Sequence, residues 1–177
     1  MTMKKEYLIY KLSDEIKNTC KIPNEAFQQY GVKRGLRNVD GSGAPVGLTN
    51  LGKVVGYERA KDGNIIACPG RLYYRGYELD ELVSPVLAEK RFGFEETAYL
   101  LLSGKLPDRE ELHAFQELLN ENMALDHRTV VHLVDLEGSD IMNILARCVL
   151  EMYTFDENPD DISRDNLMRQ SIQLIAQ

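Results

Sequence analysis

The feature that most constrains this chain is a helical hydrophobic period that begins after Tyr77 and runs to the last residues. Apolar residues recur there at steps of three and four, which places them on one face of each helix. The segments are ELDELV, FEETAYLLLSG, the stretch after Pro107, the stretch from Ser139 and the stretch from Ser163. We therefore predict a mainly α protein with a small β region near its N-terminus.

Residues that favour helix ends mark the boundaries of these segments. Gly104 is a predicted C-cap, Pro107 suits the first turn of the next helix, and Ser139 and Ser163 are predicted N-caps. The residues predicted to share one face of each helix are Leu112, Phe115, Leu118, Leu119 and Met123 after Pro107; Ile141, Ile144, Leu145, Cys148 and Met152 after Ser139; and Leu167, Ser171, Leu174 and Ile175 after Ser163.

The N-terminal part begins with another helical pattern. Leu8, Leu12 and Ile16 lie at four-residue steps, which predicts a helix over about residues 5–19. The stretch PNEAFQQY then predicts a short helical turn, because proline suits a first helical position and Gly31 follows as a C-cap.

A glycine-rich stretch and short β-like pieces follow. Residues 31–52 are predicted to form a long surface loop, because glycine is frequent in them. The pieces VGLT, KVVGY, NII and RLYY read as strands. Asp62-Gly63 lies between two of them and predicts a two-residue hairpin turn, in which both residues have positive φ.

Composition and charge limit the classes of function. The hydrophobic content of 44% is enough for a sizeable core, and the net charge of −7 opposes binding to nucleic acid or anionic lipid. No apolar run approaches the roughly 20 residues of a membrane helix, and the first residues do not resemble a signal peptide. Three widely spaced cysteines are typical of a reducing compartment. We expect a soluble cytoplasmic protein without nucleic-acid or membrane partners.

The three histidines do not form a recognisable metal or catalytic group. His127 and His132 are five residues apart, so on a helix they diverge by about 140° and on a strand they face opposite sides. His113 is distant in sequence from both. No cysteine adjoins a histidine, and no serine stands in a nucleophile elbow. We predict no metal site and no catalytic residue.

Other polar clusters also favour structural roles. The pairs Glu95-Glu96 and Glu110-Glu111 fall in predicted first helical turns, where negative charge suits the helix dipole. GSGAPVG misses the dinucleotide fingerprint by one residue, LGKV is not a P-loop, and the basic residues Lys33, Arg34 and Arg37 read as a solvated loop. In GRLYYRGYELDEL, Arg71, Arg75 and three tyrosines are suited to stacking on bases, but the acidic residues that follow repel phosphate. Tyr74 and Tyr77 are predicted to hold the strand-to-helix junction.

Two long runs carry a family resemblance. GRLYYRGYELDELV followed by FGFEETAYLLLSGKLPDREELHAF resembles the N-terminal portion of the citrate synthase family. RGLRNVDGSGAPVGLTNLGKVVGY and DIMNILARCVLEMYTFDENPDD resemble its bacterial branch of citrate and 2-methylcitrate synthases. The resemblance covers nearly all of residues 31–177.

The resemblance implies a fold, a reaction and a partner. It implies a citrate synthase-like large domain, incomplete, with an N-terminal helical segment at 1–30, a loop and small β region at 31–77 and the helical part at 78–177. The family condenses acetyl-CoA with oxaloacetate and needs no separate cofactor. Its catalytic histidine and aspartate motifs, such as H-G-G-A-N, G-H-x-x-Y and D-x-Y, match no residue here, so no catalytic or substrate-binding residue is assigned. The helices at 139–155 and 163–177 resemble two that form the family's homodimer interface. The resemblance therefore implies that Ile141, Ile144, Leu145 and Leu174 face another subunit.

The last predicted helix suggests that this chain is part of a larger domain. Its apolar pattern still runs at Ile175, without the glycine, basic turn or proline that commonly ends a helix. We expect an inactive N-terminal fragment of an acyl-CoA-condensing enzyme, with acetyl-CoA or propionyl-CoA as the acyl donor. The alternative is a stand-alone interaction or dimerisation module made from the same fold.

Overall fold

The computed structural model describes residues 2–30, 32 and 48–177. Its elements are α1 (Thr2–Thr19), α2 (Asn24–Gln29), β1 (Gly52–Arg59), β2 (Ile65–Tyr74), β3 (Tyr77–Glu78), α3 (Leu79–Ala88), α4 (Phe94–Ser103), α5 (Arg109–Asn122), α6 (His127–Asp135), α7 (Ile141–Phe155) and α8 (Arg164–Ala176). The predicted mainly α class with a small β region is confirmed. No helix of the described part is long and apolar enough to cross a membrane.

The chain contacts define two compact units. One contains Met1–Ser13 and Arg109–Gln177, and the other contains Asp14–Asp108. The predicted segment boundaries at residues 30 and 77 stay predictions. The predicted cap at Gly31 and most of the predicted loop at 31–52 lie outside the described residues.

The second unit contains an antiparallel sheet in the order β1-β2-β3. β1 and β2 form the predicted hairpin, but its turn differs from the prediction. The connection is longer than two residues, and Gly63 has φ 85° whereas Asp62 does not have positive φ. The Ala60 N–H donates to the Asn64 carbonyl at 2.9 Å, and the Asp62 carboxylate accepts from the Asn64 N–H at 3.0 Å. This side-chain bond stabilises the longer turn.

The tight two-residue turn lies elsewhere, between β2 and β3. Tyr74 and Tyr77 pair directly, and both residues between them have positive φ: Arg75 at 50° and Gly76 at 93°. Asparagine and glycine are the common residues at such positions, so an arginine there was not predicted as a turn residue. The predicted position of Tyr74 and Tyr77 at the strand-to-helix junction is confirmed.

One predicted strand is wrong in the part that the structure describes. In VGLT, Val46 and Gly47 lie outside the described residues, and Leu48 and Thr49 are not in a strand. The Thr49 hydroxyl accepts from the Leu51 N–H at 3.1 Å. This local side-chain bond competes with a strand ladder.

Helices α3 and α4 follow the sheet. Glu78 and Glu81 form a capping box at the start of α3, which extends beyond the predicted ELDELV to Ala88. Gly104 ends α4 with φ 86°, as predicted. A Cβ at Gly104 would lie 2.7 Å from the Thr19 methyl carbon, so glycine is required there for space as well as for conformation.

The first unit is built on the packing of α5 against α8. Its buried apolar side chains come from α1, α5 and α8: Leu8, Leu12, Phe115, Leu118, Leu119, Met168 and Ile172. The Lys11–Glu111 ion pair joins α1 to α5, and the Ser13 hydroxyl donates to the Asp165 carboxylate of α8. Of the predicted α5 face, Phe115, Leu118 and Leu119 are buried and Leu112 is half-buried, whereas Met123 lies beyond the end of α5 and is exposed. Pro107 precedes α5 and is not in its first turn, because α5 begins at Arg109.

The buried face of α8 differs from the predicted one. Ser163 caps the helix as predicted, and its hydroxyl accepts from the Asn166 N–H. Met168 and Ile172 are buried, whereas Leu167 and Leu174 are exposed. The prediction failed because α8 has apolar residues on two faces, and hydrophobic spacing alone cannot choose between them.

Helices α6 and α7 contact each other in the same unit. α6 was not predicted as a helix, although Asp126 is a good N-cap and accepts from the Arg128 N–H at 2.9 Å. α7 begins at Ile141 with Asp140 as its N-cap, one residue after the predicted Ser139. None of the α7 residues, all of which the structure describes, is fully buried.

An ion pair ties the end of α7 to α8. The Arg169 Nη2 lies 2.6 and 2.8 Å from the two carboxylate oxygens of Asp156, whose side chain is 8% exposed. Burial alone raises the pKa of Asp156, but hydrogen bonds from Arg169 and from the Asn158 N–H outweigh it, and this pKa lies below its ordinary value. The folded state therefore favours the charged carboxylate.

A matched pair of α8 variants tests which face of the helix is the core. We expect Ile172→Ala to lower the free energy of unfolding by about 2–5 kcal/mol, because it leaves a cavity. We expect Leu174→Ala to cost less than about 1 kcal/mol, because that side chain is 48% exposed. Urea denaturation at low micromolar concentration measures both. Equal losses would contradict the assigned face.

The Asp156–Arg169 pair predicts a pH-dependent contribution to stability. Folding lowers the pKa of Asp156. The charged carboxylate therefore contributes fully to the free energy of unfolding when the pH is above about 4, the ordinary pKa of an aspartate. This contribution is lost as the pH falls through the folded-state pKa. We expect Asp156→Asn to lower the free energy of unfolding by about 1–2 kcal/mol at neutral pH. The loss is no larger because solvent partly screens the charge of Arg169. Urea denaturation should show this difference shrinking below about pH 4. A difference that is constant with pH would exclude the carboxylate as its source.

Candidate functional site

The structure separates the three histidines into two environments. His113 lies on the exposed face of α5, where its Nε2 is 3.5 Å from Oε1 of Glu117, one turn along the same helix. His127 and His132 both belong to α6 and line one depression of about 520 Å³. The predicted divergence of these two histidines therefore does not prevent them from sharing a cavity.

The depression between α6 and α7 contains a close histidine–carboxylate pair. His132 Nδ1 lies 2.6 Å from Oε1 of Glu151, which belongs to α7. The guanidinium of Arg128 lies 4.5 Å from the centre of the Phe155 ring, a cation–π distance. The remaining lining residues are His127, Val131 and Asp135. The lining residues of this depression include no serine, cysteine or lysine that could act as a nucleophile.

Metal-ligand groups are absent from the described ranges. Within residues 2–30, 32 and 48–177 no cluster of three histidine, cysteine or acidic side chains could hold a metal ion. Cys20, Cys68 and Cys148 are all free thiols.

A second depression lies between α7 and α8. It has a volume of about 210 Å³, and its lining residues are Val149, Met152, Tyr153, Asp156, Pro159, Gln170, Gln173 and Leu174. The Tyr153 hydroxyl donates to Asp160 at 2.8 Å, and this bond raises the pKa of the phenol. Tyr153 is therefore poorly suited to releasing a proton at neutral pH.

The paired carboxylates have the structural roles that were predicted. Glu95 and Glu96 lie in the first turn of α4, and Glu110 and Glu111 lie in the first turn of α5. Glu96 also forms an ion pair with Arg91. The helix dipole and this pairing account for these acidic residues without acid–base chemistry.

Arg75, in the second unit, donates to several segments of the part of the chain that the structure describes. Its Nε and Nη2 donate to the Leu101 carbonyl at 3.2 and 2.8 Å, and its Nη1 donates to the Thr19 carbonyl at 3.3 Å. Nη1 also donates to Asn50 Oδ1 at 3.1 Å, and Nη2 lies 3.4 Å from Cys20 Sγ. Because a guanidinium has five N–H donors, these five contacts leave none for an anionic ligand.

The two arginines of GRLYYRGYELDEL therefore have different roles. Arg75 joins the end of α1, the turn before β1 and the end of α4 through the contacts above. Arg71 lies on the hairpin and pairs across the strands with Glu58 at 3.0 Å. Neither arginine is a free cation for phosphate. The other basic candidates, Lys33, Arg34 and Arg37, and the GSGAPVG stretch lie outside the described residues.

Several large apolar side chains of α7 and α8 are exposed. Of the residues predicted to face another subunit, Ile141 is 74% exposed and Leu145 is 51% exposed. Leu174 is also exposed, and Ile144 is half-buried. Met142, Val149, Leu150 and Tyr153 extend the exposed surface of α7. Exposed apolar side chains can form a site of association when they lie together in one patch.

Sequence reasoning missed the contacts of Arg75 and the His132–Glu151 pair. A sequence signal for Arg75 was present, because it precedes a glycine between two tyrosines, a pattern that suits a tight turn. No local signal could indicate the His132–Glu151 pair, because the two residues lie on different helices.

Comparison with known proteins assigns the family. Residues 40–177 match the family model described as "Citrate synthase, C-terminal domain". The citrate synthase of Saccharolobus solfataricus is 30% identical over 130 residues, which cover 72% of this chain and 28% of that protein. The 2-methylcitrate synthase 1 of Corynebacterium glutamicum is 32% identical over 107 residues, covering 60% of this chain and 26% of that protein. The citrate synthase of Haloferax volcanii is 33% identical over 93 residues, 51% of this chain and 23% of that protein.

These matches cover most of this chain but only part of each relative. The chain spans about a quarter of the length of the curated relatives it matches. The family model is described as a C-terminal domain, so the predicted placement in the N-terminal portion of the family, and in its bacterial branch, stays a prediction. Because the family model matches more than half of the chain, the chain belongs to the citrate synthase family.

Proposed function

We propose that this chain is the N-terminal part of a citrate synthase-type enzyme, which condenses acetyl-CoA with oxaloacetate and water to give citrate and CoA. This reaction is a step of the tricarboxylic acid cycle. The observation that carries the proposal is the family match over residues 40–177, together with relatives named citrate synthase. Acetyl-CoA and oxaloacetate are the proposed substrates of the whole enzyme.

Within that enzyme we propose a scaffold role for this chain. Condensation needs a base that removes a proton from the acetyl methyl group and donors that stabilise the resulting enol. In the described residues, His113 projects from an exposed helix face, His132 is engaged by Glu151, and Arg75 has all its donors occupied. These arrangements support placing the reacting groups in the part of the enzyme outside this chain.

The acyl donor has a second candidate. A relative named 2-methylcitrate synthase 1 matches the chain about as well as the citrate synthases do. The resemblance to 2-methylcitrate synthases implies propionyl-CoA as this second donor.

We also propose a homodimer through helices at 139–155 and 163–177. The exposed side chains Ile141, Leu145 and Leu174 support it, because burying each such side chain fully stabilises an interface by up to about 1.5–3 kcal/mol. The same surface supports the alternative of a stand-alone dimerisation module. A gene that continues in frame beyond residue 177 favours the enzyme, and a stop codon there favours the module.

We place the protein in the cytoplasm as part of this proposal. All three cysteines are described and free, which suits a reducing compartment.

A turnover assay tests the scaffold role. We expect the purified chain, given acetyl-CoA or propionyl-CoA with oxaloacetate, to release no CoA above the rate without protein, because the reacting groups lie elsewhere. A thiol reagent measures the release, with a complete citrate synthase as positive control. Sustained turnover by the purified chain would refute the placement of the active site.

A pair of surface variants tests the proposed dimer interface. We expect the chain to self-associate in sedimentation equilibrium, and Leu145→Asp to raise the dissociation constant at least about tenfold by placing a charge in the interface. Leu87→Asp is the matched control, because Leu87 is 69% exposed on α3 of the other unit. A monomeric chain, or equal weakening by both variants, would reject this interface.

A further inference from the structure

We propose that the first part of α1, residues 2–13, is a strap that fixes which face of α8 is buried against α5. These residues belong to the first unit together with α5 and α8. They precede the segment that matches the family model, which begins at residue 40. The proposal therefore assigns a role to a part of the chain outside that match, and it does not depend on the proposed enzymatic activity.

Hydrophobic burial alone does not choose a face of α8. Its apolar residues lie on two faces, with Met168 and Ile172 on the buried one and Leu167 and Leu174 on the exposed one. The hydrophobic effect has no direction and depends on the apolar area removed from water, which is similar for the two pairs. A directional contact is therefore needed to favour one face over the other.

Ser13 of the strap supplies a directional contact. This residue is 3% exposed, and its hydroxyl donates to the carboxylate of Asp165 in the first turn of α8. Asp165 precedes Met168 by three residues and Ile172 by seven, so the three lie on one face of the helix. Because a buried hydroxyl needs a hydrogen-bond partner, Ser13 favours the arrangement in which this face lies next to α1.

Buried leucines and an ion pair hold the strap itself in place. Leu8 and Leu12 lie one turn apart on the same face of α1, and they are 7% and 0% exposed. The Lys11 Nζ donates to the Glu111 carboxylate of α5. The strap thus contacts α5 through one side chain and α8 through another, which allows it to fix the two helices against each other.

The strap contacts join distant parts of the chain. Ser13 and Asp165 are 152 residues apart in sequence, and Lys11 and Glu111 are 100 residues apart. Closing loops of this length costs conformational entropy, which the formation of helices alone does not offset. The strap is therefore part of the cooperative structure of the first unit, and weakening it destabilises α5 and α8 as well as α1.

Hydrogen exchange of the complete 177-residue chain tests the strap. We expect Leu12→Ala to lower the protection factors of the α1, α5 and α8 amides by at least about thirtyfold, the effect of a cavity at a fully buried leucine. Tyr10→Ala is the matched control, because Tyr10 lies on the same helix and is 58% exposed, and we expect a loss of less than about threefold. A loss confined to α1, or equal losses in the two variants, would overturn the proposal.

A double-mutant cycle tests whether Ser13 acts through Asp165. We expect Ser13→Ala and Asp165→Ala each to lower the protection factors of the α8 amides by about two- to tenfold, because each removes the hydrogen bond. The double variant should lose little more than Asp165→Ala alone, since the bond can be lost only once.

The outcome of the cycle decides whether this bond selects the face. The bond forms only when the Asp165 face of α8 lies next to α1, so the coupling between the two variants measures its contribution to the choice. Losses that simply multiply in the double variant would show that the two side chains act independently and would overturn the proposal. Both single variants leave the buried leucines intact, so the cycle remains decisive if Leu12→Ala prevents folding.

Discussion

The burial of one face of α8 against α5 is the constraint on which the first unit depends. Met168 and Ile172 supply the buried side of α8, and Phe115, Leu118 and Leu119 supply that of α5. Each such side chain stabilises the fold by roughly 1.5–3 kcal/mol, more than the exposed ion pairs nearby contribute. Once this face is inward, the helical period turns Leu167 and Leu174 toward solvent.

This orientation links the fold to the proposed function. α7 is tied to α8 by the buried Asp156–Arg169 pair and has no fully buried residue of its own. The unit thus has an internal core and, on α7, exposed apolar side chains that are not part of it. Such a division suits a scaffold that positions other parts of an enzyme and contacts another subunit.

The sequence predicted those elements whose signals are local. The face of α1, the glycine cap of α4, the serine cap of α8 and the acidic first turns all depend on neighbouring residues, and all were found. α6 was missed because Thr129, Val130, Val131 and Val134 have low helix propensity, and its docking on α7 compensates. The tight turn was placed at Asp62-Gly63 and occurs at Arg75-Gly76, where hydrogen bonds from the Arg75 guanidinium support an unusual turn residue. The contacts of Arg75 and His132 join distant segments, which local patterns do not reveal.

The central claim is that this member of the citrate synthase family contributes scaffold and interface, and that the groups which hold the substrates lie outside it. Isothermal titration calorimetry of the purified chain with oxaloacetate tests this claim most directly. The account predicts no saturable heat at millimolar ligand. Saturable binding of one oxaloacetate per chain would contradict it, because the carboxylate-binding groups would then have to lie among these 177 residues.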